Sequence, residues 1–320
     1  MMQMFGFKEK NQVKRLNYWR ENYDLYVMLI PALAFYFIFR YIPIYGIVLA
    51  FKDYKFNLGI MGSPWIGFEV FKDVFNSKMF WRAFGNTLWL NLLSLVVGFP
   101  LPIVFALILN EVRITGFKRV AQSISYLPHF ISWVILYGII LALTAKNTGI
   151  FNSLLVFLEK DQINFLTNRS WWLFIFVGSS MWKETGWQAI LYMSALTAID
   201  PGLYEAAAID GAGRWKSLVH ITLPGIKGTI VILLILNVGR IMTIGFEKPY
   251  LLSNASVSDI GSVLSTYVFT LGIQRAQYSF TTAVGLFQSV INFVLLIAAD
   301  RIAKTLGEEG LFARKAKDAK

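Results

Sequence analysis

An all-α, polytopic membrane fold with six crossings is what this sequence predicts, on three observations. The 320 residues are 56% hydrophobic and 16% aromatic but only 15% charged, with a mean hydropathy of +0.54, far from the composition of water-soluble domains. Six windows of about 20 mostly apolar residues, the length a helix needs to cross hydrocarbon, lie at 25–49, 87–109, 121–143, 171–198, 226–246 and 281–300. Lys and Arg alternate in density along the chain. Seventeen fall in the N-terminal tail, in 110–120, in 199–227 and in the tail from Arg301, against ten in the intervening loops. Cytoplasmic segments retain positive charge, so this bias places both termini in the cytoplasm.

The elements follow in order. Residues 1–24 are too mixed in charge, and lack the small-residue site, for a cleaved signal peptide, so they are expected to remain as a cytoplasmic tail. The first span contains Pro31, Arg40 and Pro43, which predicts an irregular helix with Arg40 snorkelling to the outer interface. Its outer loop, closing the segment 25–81, holds GSPWIGFEVFKDVF, a turn signal and then an aromatic-rich amphipathic run that suits a helix lying on the outer membrane surface. Pro128 and His129 are expected to shape a helix end rather than to ligate anything. Residues 301–320 end in ARKAKDAK, a basic cytoplasmic tail suited to a lipid surface rather than to nucleic acid.

Several chemistries are excluded. There is no cysteine, and the two histidines, His129 and His220, lie on different segments, so neither a thiolate nor a metal site is expected. GAGRWKS at 211–217 comes nearest to a phosphate loop, but Trp215 stands where the loop needs Gly for its backbone amides to curl round phosphate. His-Glu-x-x-His and Gly-x-Ser-x-Gly are both missing. No catalytic residue and no cofactor is expected within the chain.

Between the fourth and fifth windows lies a charged, glycine-broken insert. Asp200 and Pro201 make a helix start, an Asp cap with Pro at the first helical position. A short helix should run to about Ile209, where Gly211 and Gly213 turn the chain. Trp215, Leu218, Val219 and Thr222 then fall on one face of a second helix that Pro224 ends. On physical grounds alone, this cytoplasmic helix-elbow-helix could be no more than an interfacial hairpin returning the chain to the membrane.

Its spacing says more. Glu205, Ala206 and Ala207, three residues ending in Asp210, Gly211, nine residues that include Arg214, Trp215 and Leu218, then Ile221, one residue, Leu223 and Pro224 together resemble the signature loop of binding-protein-dependent ABC importer permeases. YIPIYGIVLAFKDY (41–54), NTLWLNLLSLVVGFPLPIVFALILNEVR (86–113), YLPHFISW (126–133) and IDPGLYEAAAIDGAGRW (199–215) resemble the carbohydrate-uptake branch, in particular permeases for polysaccharide-derived and lipo-oligosaccharide ligands. The resemblance implies a type I importer permease fold, with the transmembrane domain over 82–300, in the inner membrane of a prokaryote. It also implies that residues 200–224 dock on two separate ATP-binding subunits carrying ATP and Mg, with Glu205 in polar contact and Gly211 as the elbow. A second homologous permease, an extracytoplasmic solute-binding protein and an oligosaccharide complete the implied set of partners. Leu218 stands where many relatives have Phe, which implies a smaller docking knob, and Gly228 where Pro often follows, which implies a less kinked fifth span.

Ionisable groups inside a span cost several kcal/mol and should face a cavity or a partner. Lys183 and Glu184 lie in the fourth window, and Asn237 and Arg240 share a face of the fifth. Thr87, Asn91, Ser94 and Gly98 line one face of the second span, and Thr281, Gly285, Gln288 and Asn292 one face of the sixth. Such stripes serve either helix packing or a translocation path. The expectation for a path is Lys183, Glu184, Trp187, Asn237, Arg240, Gln288 and Asn292, with Trp187 stacking on a sugar ring. The competing class is an ion-driven secondary transporter, which needs an intramembrane acidic relay, and Glu184 is the sole candidate for one.

Overall fold

The computed structural model describes residues 22–305 together with Gly307, Gly310 and Leu311. Most of the two tails expected at 1–24 and 301–320 lies outside these. Among the described residues the fold is helical throughout, apart from one isolated bridge between Lys52 and Trp65.

Helix α1 (Tyr23–Phe51) passes through a π turn at Phe37–Tyr41 and tightens to 3-10 geometry from Ile42, so the irregularity expected from its prolines is present. It buries nothing before Ala50 and offers an apolar surface to lipid or another membrane chain. Helix α2 (Glu69–Asn76) is the expected amphipathic run. Val70 and Val74 are buried in a cluster with Phe80, Ala83 and Val284, so part of its apolar face packs on protein while Phe75 stays exposed.

Helix α3 (Lys78–Glu111) is capped by Ser77, whose hydroxyl accepts from the Phe80 amide at 3.2 Å, and is interrupted at Phe99 before Pro100. The single third span expected at 121–143 is instead a bent pair, α4 (Thr115–Phe130) and α5 (Trp133–Thr144), meeting at 101°. Pro128 prevents a regular continuation, and the Ser132 hydroxyl restarts the helix by capping Ile135. After α6 (Ile150–Phe157), helix α7 (Arg169–Thr197) runs 29 residues from its Asn168 cap. It is long enough to cross, although its centre is polar.

Helices α8 (Pro201–Ile209) and α9 (Arg214–Gly225) form the insert, and α9 meets α10 (Lys227–Val238) at 56°. The bend persists with Gly228 in place of Pro. At 12 residues, α10 spans about 18 Å against the ~30 Å of a hydrocarbon core, so the fifth span is not one regular helix. The chain unwinds from Gly239 to Phe246. The following segment, read from sequence as an outer loop, forms α11 (Glu247–Leu252) and the bent pair α12 (Ala255–Gly261) and α13 (Leu264–Gln274) at 112°. Asn86 donates to the carbonyls of Asp259 and Ser262, and Thr87 accepts from the Leu264 amide, which pins this corner to α3. Helix α14 (Tyr278–Thr305) completes the chain. By length and composition α1, α3 and α14 can each cross unaided, and the three bent pairs can each cross as a broken span.

Three apolar clusters hold the body together. One joins Leu90, Leu136, Trp172, Phe176 and Val263, and Trp172 also donates to the Leu252 carbonyl at 2.9 Å. The second surrounds Phe80 and Met242, and the third joins Ala106, Ala189, Tyr192, Leu196 and Ile226. Helix α7 touches the first and third along its length and is the post against which the other helices are set.

Candidate functional site

The insert forms as its local chemistry dictates. Asp200 accepts from the Gly202 amide at 2.9 Å, with Pro201 opening α8. At its far end the Ala212 amide bonds the Ala207 carbonyl at 2.8 Å, and Gly211 adopts φ +74°, closing the helix with a left-handed residue. Gly213, expected to share this role, has φ −76° and simply precedes α9, a conformation any residue adopts. Tyr204 and Thr222 hydroxyls meet at 3.0 Å and tie α8 to α9. The hairpin is fixed to the body at its base, where Thr222 and Ile226 are buried and Gly225 packs against Ile199.

Its tip is bare. Ile209 is 88% exposed, Trp215 75% and Leu203 52%, and Glu205, Ala206, Asp210 and Arg214 are exposed beside them. The Glu205 and Arg214 side chains make no hydrogen bond or ion pair among the described residues. Leu218, Ile221 and Leu223 are half-buried towards the base, as is Ala207, while Pro224 is exposed.

Above the hairpin lies a polar cavity of about 300 Å³ between α3, α7 and the unwound end of α10, lined by Asn91, Ser94, Gly98, Ser180, Glu184, Gln188, Asn237, Arg240 and Thr243 among others. A second of about 210 Å³ continues along α7 and α10 towards the hairpin, lined by Leu191, Tyr192, Leu233 and Leu236 and sharing Gln188, Asn237 and Arg240 with the first.

Three of the seven residues expected on a path therefore meet here: Glu184, Asn237 and Arg240. The other four stand elsewhere. Lys183 is buried, and its ammonium donates to the carbonyls of Pro128 (3.3 Å), Ile131 (2.7 Å) and His129, so it terminates α4 and faces away from the cavity. Trp187 stacks on His129 at 4.4 Å with the rings 2° from parallel and is not among the cavity-lining residues. Gln288 donates to the Met242 carbonyl at 2.5 Å, while Asn292 accepts from the Met242 amide and donates to Thr243. With Asn91, which donates to the Ile241 carbonyl at 2.6 Å, these carboxamides satisfy the backbone that the break after α10 leaves open. The α3 stripe is thus divided, Thr87 bonding protein and Ser94 and Gly98 forming cavity wall with Asn91 in both roles, whereas Thr281, Gln288 and Asn292 of α14 bond protein and line neither cavity.

Missed were Ser180 and Gln188, one turn either side of Glu184, a spacing of four that could have found them. His129 was expected only to shape a helix end, yet its Nδ1 lies 2.9 Å from the Glu184 carboxylate. Lys248, on α11, bonds the Ser180 hydroxyl at 2.6 Å and sits 3.6 Å from the centroid of Phe176. Desolvation lowers its pKa to about 7, against the raising influence of the Glu184 charge. Among the described residues no three His, Cys, Asp or Glu side chains converge as a metal site would require.

Comparison with known proteins bears on what this architecture does. The family described as binding-protein-dependent transport system inner membrane component matches residues 98–308. A Bacillus subtilis (strain 168) protein, the polygalacturonan/rhamnogalacturonan transport system permease protein YteP, is 44% identical over 305 residues, covering 95% of each chain. Protein LplB of the same organism is 45% identical over 288 residues, 90% of this chain and 91% of its own. A chain from the crystal structure of a bacterial alginate ABC transporter in complex with an alginate pentasaccharide-bound periplasmic protein superposes with a TM-score of 0.83 at 39% identity, covering 92% of this chain and 99% of that one.

Proposed function

Because the chain belongs to the binding-protein-dependent transport system inner membrane component family, and so is a permease subunit of an ATP-driven importer in a bacterial inner membrane, we propose that its cargo is an oligosaccharide or polysaccharide fragment. The names of the relatives support this cargo. In this reading residues 200–224 dock on two ATP-binding subunits that hold ATP and Mg, both termini are cytoplasmic, a second homologous permease completes the membrane domain, and an extracytoplasmic solute-binding protein delivers the ligand. Domain boundaries follow the sequence: residues 82–300 form the transporting unit, with α1 and α2 in front of it.

One observation carries the docking assignment. The hairpin tip holds Leu203, Ile209 and Trp215 in solvent beside an unpaired Glu205, while its base is buried. An apolar and charged tip on a rigid base is the shape of a surface waiting for a protein. Burying Trp215 or Ile209 against a partner would each contribute roughly 2 kcal/mol. ATP-driven closure of the partners would then move the hairpin and rock α7 and α10 between access states.

The test is the assembled complex in proteoliposomes. Glu205→Lys and Gly211→Asp should insert normally but separate saccharide uptake from ATP turnover. Wild-type uptake in both variants would sink the docking assignment.

A further inference from the structure

Arg240 stands at the neck between the two cavities, which share it with Gln188 and Asn237. It follows α10 directly, at the start of the unwound stretch whose backbone Asn91, Gln288 and Asn292 hold in place. The other cations near the cavity are engaged: Lys183 by three carbonyls, and Lys248 by Ser180 and the Phe176 ring. The Arg240 guanidinium has no hydrogen bond or ion pair among the described residues.

Glu184, on the α7 wall, bonds His129 through one carboxylate oxygen and forms no ion pair with Arg240. An unpaired guanidinium inside a membrane domain is costly unless water or an anion meets it. Its planar fork matches a carboxylate through two parallel hydrogen bonds, which an ammonium cannot reproduce. The Ser94 and Gln188 side chains also make no hydrogen bond among the described residues, and Glu184 is an acceptor. The neck therefore presents one cation for an acid and several neutral or accepting groups for hydroxyls.

We propose that Arg240 is a specificity-determining residue, binding a carboxylate of an acidic saccharide at the neck while Glu184 and Gln188 take its hydroxyls. This rests on the oligosaccharide reading above and adds the charge of the sugar and the residue that reads it. The like charge of Glu184 repels the ligand carboxylate towards Arg240 and so orients the ring.

The test is uptake by the full complex, with its ATPases and second permease, in proteoliposomes. The probes are a short oligogalacturonide and the same compound with its carboxylates reduced to alcohols. Losing a charged hydrogen-bonded partner should lower the acidic-to-reduced uptake ratio about tenfold in Arg240→Gln, with Arg240→Lys between that and wild type. An unchanged ratio would overturn the assignment, as would equal losses for both probes, which would show the guanidinium pairing with another subunit. Failure of the wild-type complex to take up either probe is a separate result, striking the saccharide reading and this one together. An unchanged ratio on robust wild-type uptake strikes Arg240 alone.

Discussion

Replacing Lys183 by Met asks whether this intramembrane cation is a strut or part of a path. Its ammonium is buried and donates to the Pro128, His129 and Ile131 carbonyls at the end of α4, where the helix dipole also favours a positive charge. Each bond from a charged donor contributes about 1.5–3 kcal/mol. Against the three stands the cost of desolvating an ammonium, several kcal/mol, which the variant no longer bears. The difference is a net loss of about 2–3 kcal/mol, and at about 2–4 °C per kcal/mol for a domain of this size the thermal midpoint should fall by roughly 5–10 °C. Intrinsic tryptophan fluorescence of the purified complex measures it, since Trp133 and Trp187 flank the break. Uptake per folded complex should survive. An unchanged midpoint with abolished uptake would refute the reasoning and return Lys183 to the path.

Three further outcomes are expected. A methyl group on Gly186 would run into the Ser125 backbone carbonyl on α4, so Gly186→Ala should force α4 from α7 and cost about 1–3 kcal/mol, read as a lower thermal midpoint. Asn292→Leu leaves the amide of fully buried Met242 without its acceptor, and hydrogen exchange over 239–246 should accelerate while that of α3 stays the same. Lys248 has a folded-state pKa of about 7 against 10.5, so between those values the unfolded chain binds more protons and stability should rise with pH. Lys248→Met should flatten that rise between pH 7 and 9, measured as the thermal midpoint.

How much of this was legible in the sequence depends on how local the determinant is. The Asp200 cap, the Pro201 start and the left-handed Gly211 are set by neighbours within a few residues, and the hairpin could be read before any coordinates. The breaks in the third and fifth spans are not set by neighbours alone, although Pro128 and Ser132 mark the first of them locally. The 101° corner at Ile131 needs Lys183 from 52 residues away, and the unwound end of α10 needs Asn91 from 150 residues away. Polarity marked these residues, but not what they bond. One distinction was available and unused: Lys183 and Glu184 are adjacent on a helix, so their side chains diverge by about 100°, and one cavity could not hold both. Glu184 keeps the face that Ser180 and Gln188 share, and Lys183 takes the other.

The hairpin and the cavities are built from the same helices, which gives the two proposed sites a physical route for cooperation. Helix α7 ends at Thr197 and leads through Asp200 into α8, while α9 continues across the 56° bend into α10. Both cavities lie between α7 and α10, and Arg240 stands at the far end of α10. The buried contacts of Ile226 with Ala189, Tyr192 and Leu196 tie the base of the hairpin to α7, so the hairpin cannot move without carrying one or both helices. Cores of this density repack between discrete arrangements rather than deform smoothly. If a partner takes hold of Trp215 and Glu205 as proposed, its force would be converted at the α9–α10 bend into a tilt of α10 that is greatest near Arg240, where the backbone is unwound and the Asn91, Gln288 and Asn292 side chains bond it.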